Sequence, residues 1–303
     1  PPPHKVHEHM RPHNRIHVFA SIAFLIFVSC APLPADEPNT AADSPKAEAT
    51  DQAKAEPVVV PADKENFHLF LLVGQSNMAG RGTVEAEDTV VHSNILSLNQ
   101  DHQWEHAVDP LHFDKPKMAG VGLGRTFALD YAAKHPDVTV GLIPCAVGGS
   151  PIRAWEPGGF HDQTKSHPYD DAMQRAHVAL KSGTLKGILW HQGESDSTTK
   201  QSVLYEEKLH ALINRFRTEL DGPEVPFVAG QLGQFPEKPW NDSRRLVNSV
   251  LESLPAKVPF CGFAKSDGLK HKGDETHFNS AAYREFGHRY FQAFESACTN
   301  PTR

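Results

Sequence analysis

From Phe67 onward, short apolar runs alternate with longer stretches whose apolar residues recur at helical spacing. That alternation admits few folds: a strand apolar throughout must be covered on both faces, and the helices between successive strands are what covers it. The expected class is α/β, a three-layer α/β/α arrangement around a parallel sheet of about five strands. Strand candidates span residues 68–73, 95–98, 138–147, 185–191 and 225–231, and helix candidates span 123–134, 169–181, 202–220, 243–254 and 280–297. No internal repeat is visible, and 303 residues at 39% hydrophobic content suit one substantial core.

The residues ahead of this body read as an address. Beginning at Met10, a basic stretch with Arg11 and Arg15 leads into an apolar run over 18–28, too short for a comfortable membrane span and right for a signal-peptide core. The run ends in Ser29-Cys30, which resembles a bacterial lipoprotein processing site; ordinary cleavage shortly afterwards is the alternative. The expected location is therefore exported: secreted, periplasmic, or membrane-anchored through Cys30 alone. Residues 31–65 hold few large apolar side chains, too few to offset the entropy of ordering them, and are expected to be a linker. The folded domain is expected over 66–298, with a tail at 299–303.

Charge and composition exclude some roles. With 37 acidic against 30 basic residues the net charge is -7, which leaves no global basic field for a nucleic acid. Five of the 19 histidines, His4, His7, His9, His13 and His17, precede any plausible core and are not read as a metal site. Cys145 lies in an apolar run and reads as a small buried hydrophobe, whereas Cys261 and Cys298 either pair or stay free.

In open parallel sheets, ligands sit beyond the carboxyl ends of the strands, where loops converge. Four loops there carry polar clusters: Gly74-Gln-Ser-Asn-Met78, Gly148-Gly-Ser150, His191-Gln-Gly-Glu-Ser-Asp196 and Asp274-Glu-Thr-His277. Ser76 directly follows a strand, where a serine serves as nucleophile or as a plain helix cap. A serine hydroxyl needs a base to take its proton and a third group to orient that base. Asp274 and His277, three residues apart, fit those roles from one short loop, with His271 and Asp267 as the competing pair. The backbone N–H of Ser76, that of Gly149 and the side-chain amide of Gln192 are candidate donors to a developing oxyanion, with Gly148 the alternative to Gly149. Glu194 and Asp196 could pair as acid and base or join His191 on a metal; the reading preferred is that they accept loop N–H bonds and hold Gln192. Gln75, Asn77, Arg153, Trp155 and Glu194 are assigned to substrate contact, Trp155 as a flat aromatic surface or else a packed core residue. No metal or cofactor is implied.

These motifs, with Gly148-Gly-Ser-Pro-Ile152 and Trp155 in the second block and His277-Phe-Asn in the fourth, resemble the SGNH hydrolases. Within them they are most similar to the carbohydrate esterases typified by sialate O-acetylesterase and the family-six acetyl xylan esterases. Their order and spacing match over nearly all of residues 67–295. The resemblance implies a flavodoxin-like fold, a Ser76/His277/Asp274 triad, an oxyanion hole from Ser76, Gly149 and Gln192, and an acetylated carbohydrate substrate. Where many SGNH enzymes place asparagine in the third block, this chain offers Gln192. No Gly-x-Ser-x-Gly elbow surrounds Ser76, so ordinary α/β-hydrolase logic does not apply.

Overall fold

The computed structural model describes residues 57–300; the expected signal segment, Cys30 and most of the expected linker lie outside them. Seven strands form one sheet: β1 (Phe67–Gly74), β2 (Ile95–Leu98), β3 (Trp104–His106), β4 (Thr139–Pro144), β5 (Thr184–His191), β6 (Phe227–Gly230) and β7 (Cys261–Ala264). Their spatial order is β3-β2-β4-β1-β5-β6-β7, every pairing parallel except that of the edge strand β3 with β2. The helices are α1 (Ser76–Ala79), α2 (Gly124–Lys134), α3 (Pro168–Ala179), α4 (Tyr205–Glu219), α5 (Asp242–Lys257) and α6 (Ser280–Cys298).

Alternate side chains of the central strand show how the layers are built. Leu69, Leu71 and Val73 pack with Ala172 and Met173 of α3, Leu209 and Phe216 of α4, and Leu251 of α5. Phe70 and Leu72 face the other way, onto Phe127 and Tyr131 of α2 and Phe286, Tyr290 and Phe294 of α6. Each of these side chains is buried, the large aliphatic and phenylalanine ones contributing roughly 1.5–3 kcal/mol of transfer free energy against the entropy of ordering.

Two strands exceed the five expected. β3 is three residues long with an exposed Glu105 at its centre, and β7 contains Gly262, whose missing side chain admits the Ala293 carbonyl of α6. Neither carries the continuous apolar run that marks the interior strands. Cys145, Cys261 and Cys298 are unpaired, the first two buried and the third exposed, so the pairing weighed for Cys261 and Cys298 is not formed.

Candidate active site

The loops leaving β1, β4, β5 and β7 meet at one edge of the sheet. At Gly74 the backbone takes φ +128°, and a Cβ there would lie 2.2 Å from the His191 carbonyl oxygen. The ends of β1 and β5 approach that closely, with the Gln75 N–H donating to the His191 oxygen at 2.8 Å, so the chain turns straight into the single turn of α1. Ser76 is its first residue.

His277 Nε2 lies 2.9 Å from Ser76 Oγ, and His277 Nδ1 lies 2.7 Å from Asp274 Oδ2. The other carboxylate oxygen of Asp274 accepts the backbone N–H groups of Thr276 and His277 at 3.0 and 2.8 Å. Partial burial pushes the Asp274 carboxyl upward, but the His277 N–H and ring and the Thr276 N–H outweigh it and hold the pKa below the ordinary value. Immediately after His277, Phe278 is fully buried and Asn279 caps α6 by accepting the Ala282 N–H, so the imidazole is pinned from its C-terminal side. His271 does not reach Ser76: its Nδ1 accepts the N–H groups of Gly273 and Glu275, shaping the loop that carries Asp274. Asp267 is exposed, its carbonyl taken by Arg289.

Asn77 locks these parts together. Its Nδ2 donates to Glu194 Oε1 at 2.6 Å and to the Thr276 carbonyl at 3.1 Å, while its Oδ1 accepts the Tyr283 hydroxyl at 2.7 Å. Fully buried, Asn77 is a clamp between loops and, contrary to the expected substrate contact, does not line the pocket in front of Ser76. Burial would raise the Glu194 carboxyl, yet His191, 3.4 Å away, with the Arg244 charge and the Asn77 bond, holds it down at about 2. A carboxylate so depressed contributes stability that is complete above its ordinary 4.5 and is lost as pH falls toward 2. In Glu194→Gln the acid-side loss of unfolding free energy should be shallower than in the wild type by on the order of 3 kcal/mol, read from urea unfolding at stepped pH. Parallel slopes in the two proteins would remove Glu194 from this role.

The pocket in front of Ser76 holds about 300 Å³ and is lined by Gln75, Arg81, Lys115, Met118, Gly148, Gly149, Glu194, Ser195, Thr276 and His277. Among the described residues, no acceptor takes the backbone N–H of Ser76 or of Gly149, which sits at φ +85°. The N–H of Gly148 is committed to Asp114 Oδ2 at 2.7 Å, which separates the two glycines. Asp114 in turn pairs with Arg81 Nη2 at 2.7 Å, both side chains almost wholly buried, so this ion pair fixes the glycine turn.

Three further assigned residues stand elsewhere than expected. Trp155 is fully buried, edge-on to Trp190 with its Nε1–H donated to Ser150 Oγ, and offers no face to a sugar. Arg153 is exposed and does not line the pocket. Gln192 is fully buried, its Nε2 lying 2.5 Å from Asp196 Oδ2, 3.2 Å from the Ser150 carbonyl and 3.3 Å from Gln75 Oε1. Its amide is therefore aimed at protein oxygens and not at the pocket. Asp196 also accepts the Ile152 N–H and is buried, which takes it out of acid–base work at the mouth; burial raises its carboxyl against those bonds. Among the described residues, no group of three metal-ligating side chains is gathered, so His191, Glu194 and Asp196 form no such cluster.

Arg81, Asp114 and Lys115 are pocket and support residues that sequence reasoning missed, since they fall in no motif and meet the turns only in the folded chain. Ser195 lay inside a recognised block without being singled out.

Comparison with known proteins identifies the family of the chain. The sequence profile of the family described as carbohydrate esterase, sialic acid-specific acetylesterase, matches residues 66–296. The chain is 32% identical over 249 residues to a probable carbohydrate esterase of Arabidopsis thaliana, covering 75% of this chain and 90% of that one. An Arabidopsis thaliana crystal structure superposes with a TM-score of 0.67 at 30% identity, covering 77% of this chain and 98% of the other. A carbohydrate acetylesterase from Xanthomonas citri shares the fold, with a TM-score of 0.59 at 22% identity over 76% of this chain and 56% of its own. The chain thus belongs to the carbohydrate esterase family of sialic acid-specific acetylesterases, and it is a carboxylic ester hydrolase.

Proposed function

We propose that the protein removes O-acetyl groups from carbohydrates through an acetyl-enzyme at Ser76. The observation that carries this reading is the relay Ser76 Oγ, His277, Asp274, at 2.9 and 2.7 Å, facing a small pocket with two uncommitted backbone N–H groups. His277 accepts the Ser76 proton as Oγ bonds to the acetyl carbon, and the carbonyl electron pair moves onto its oxygen. Collapse of the tetrahedral adduct breaks the bond to the sugar oxygen, which leaves with the proton from His277. Water then attacks the acetyl group, giving its proton to His277, and acetate departs as the proton returns to Ser76.

The rival within enzymes is a general or lipase-like esterase on the same triad. Against it stands the pocket wall, where Met118 is the one large apolar side chain among Gln75, Arg81, Lys115, Glu194, Ser195 and Thr276. A lipase needs an apolar trough for an acyl chain. The rival from another class, a glycan-binding module without turnover, has no use for the Ser76, His277 and Asp274 relay.

Two measurements test the reading together: acetate released from a panel of O-acetylated glycans, and rates on p-nitrophenyl esters of increasing acyl length. Acetate release from at least one glycan, and a steep fall in rate from acetate to octanoate, are expected. A preference for long acyl chains, or no acetate from any glycan, would overturn it.

A further inference from the structure

Two glutamine carboxamides lie beside the Ser76 turn, and their hydrogen bonds divide the work between them. Gln192 has no contact with the pocket, and its two N–H bonds face three protein oxygens, those of Asp196, Ser150 and Gln75. No N–H is left over for a substrate, and the unpartnered Oε1 can only accept. Gln75 is oriented the opposite way. Its Oε1 accepts from Gln192 Nε2 and from the Ser195 backbone N–H, both at 3.3 Å, which fixes the oxygen end of the amide against the protein. The NH2 end then has no protein acceptor among the described residues, yet it is not sealed from solvent, and Gln75 lines the same pocket as Ser76, Gly149 and His277.

A nearly buried amide whose acceptor end is doubly tied and whose donor end is idle marks a group waiting for an oxygen in the pocket. The residue following it is Ser76, and the uncommitted donors flanking Ser76 Oγ include the backbone N–H groups of Ser76 and Gly149, while the unpartnered Arg81 Nε is buried behind the pocket wall. From this arrangement we infer that Gln75 is the side-chain donor of the oxyanion hole, and that Gln192 is a positioning residue that holds it there. The inference rests on the acetyl-enzyme reading: as Ser76 Oγ adds to the carbonyl carbon, the oxygen that gains the electron pair is met by the N–H of Ser76, the N–H of Gly149 and Nε2 of Gln75. The chain of support runs from Asp196 through Gln192 to Gln75, so the buried carboxylate orients an amide that orients an amide.

Gln75→Glu separates donation from shape. A carboxylate at 75 still accepts from Gln192 and Ser195 but has no N–H to give. Assayed on p-nitrophenyl acetate at pH 8, Gln75→Glu and Gln75→Leu are both expected to lose about 10²- to 10³-fold in kcat with KM changed by less than about threefold, the signature of a contact made mainly in the transition state. Their unfolding midpoints serve as the check on folding. Gln75→Glu with kcat within about fivefold of the wild type would show that Gln75 matters only as an acceptor and would overturn the inference. So would a Gln192→Leu variant that loses kcat by that margin while Gln75→Leu does not. Failure of the underlying reading looks different: a fluorophosphonate would then leave Ser76 unlabelled, and Ser76→Ala would retain activity.

Discussion

Ser76→Ala is expected to lower acetyl-ester hydrolysis by roughly 10⁴- to 10⁶-fold, the range over which removal of a triad nucleophile acts. The side chain is almost buried and, among the described residues, its hydroxyl takes part only in the contact with His277 Nε2, so deleting one oxygen removes the proposed nucleophile and leaves the core untouched. His277→Ala is expected to fall in the same range, and the double variant no lower than either single one, because the two groups act as a unit. Initial rates on p-nitrophenyl acetate, with mass spectrometry of the fluorophosphonate adduct, decide the matter. Full activity in Ser76→Ala, or an adduct on another residue, would discard the nucleophile.

Asp114→Ala should produce the largest loss of stability, about 3–5 kcal/mol, because it leaves the Arg81 guanidinium buried without its counter-charge. It also releases the Gly148 N–H, and with it the turn that presents Gly149. Stability and activity are therefore expected to part company in a second variant. Replacing the pair by Arg81→Met with Asp114→Leu should recover most of the unfolding free energy while kcat stays depressed, since the glycine turn remains unanchored. Urea unfolding of both variants is the measurement, and wild-type stability in Asp114→Ala would show that the pair contributes nothing.

The residues that were legible in the sequence are those whose partners stand close along the chain or at the end of an apolar run. Asp274 and His277 share one loop, and the ends of β1 and β5 announce themselves by the switch from apolar to polar residues. Strand boundaries shifted by a few residues at β4, where Pro144 closes the regular ladder although the Cys145 and Val147 N–H groups still bond back to β1. What could not be read was depth. A tryptophan after a glycine turn looks the same whether it lines a mouth or fills a core, and only the packing of Trp155 on Trp190 decides it. The amide of Gln192 sits one residue past a strand end, as an oxyanion donor would, but Gln75 stands between it and the pocket. Arg81 and Asp114 lie 33 residues apart with no periodic or motif relation, so their pairing depends wholly on how α1 and the loop before α2 fold back on each other.

The clamp formed by Asn77 has a bearing on how the enzyme discriminates. Because one buried side chain ties the Ser76 turn to the Thr276 carbonyl, to Glu194 and to the α6 hydroxyl of Tyr283, Ser76 and the His277 imidazole already stand at hydrogen-bond distance in the free protein. The entropy of aligning them is spent during folding, so no portion of a ligand's binding energy is diverted to drawing the two loops together. On the proposed function, selectivity between one ester and another would then originate in how each carbonyl and departing oxygen fit a site already assembled, by recognition of the ester itself and not by ligand-driven closure.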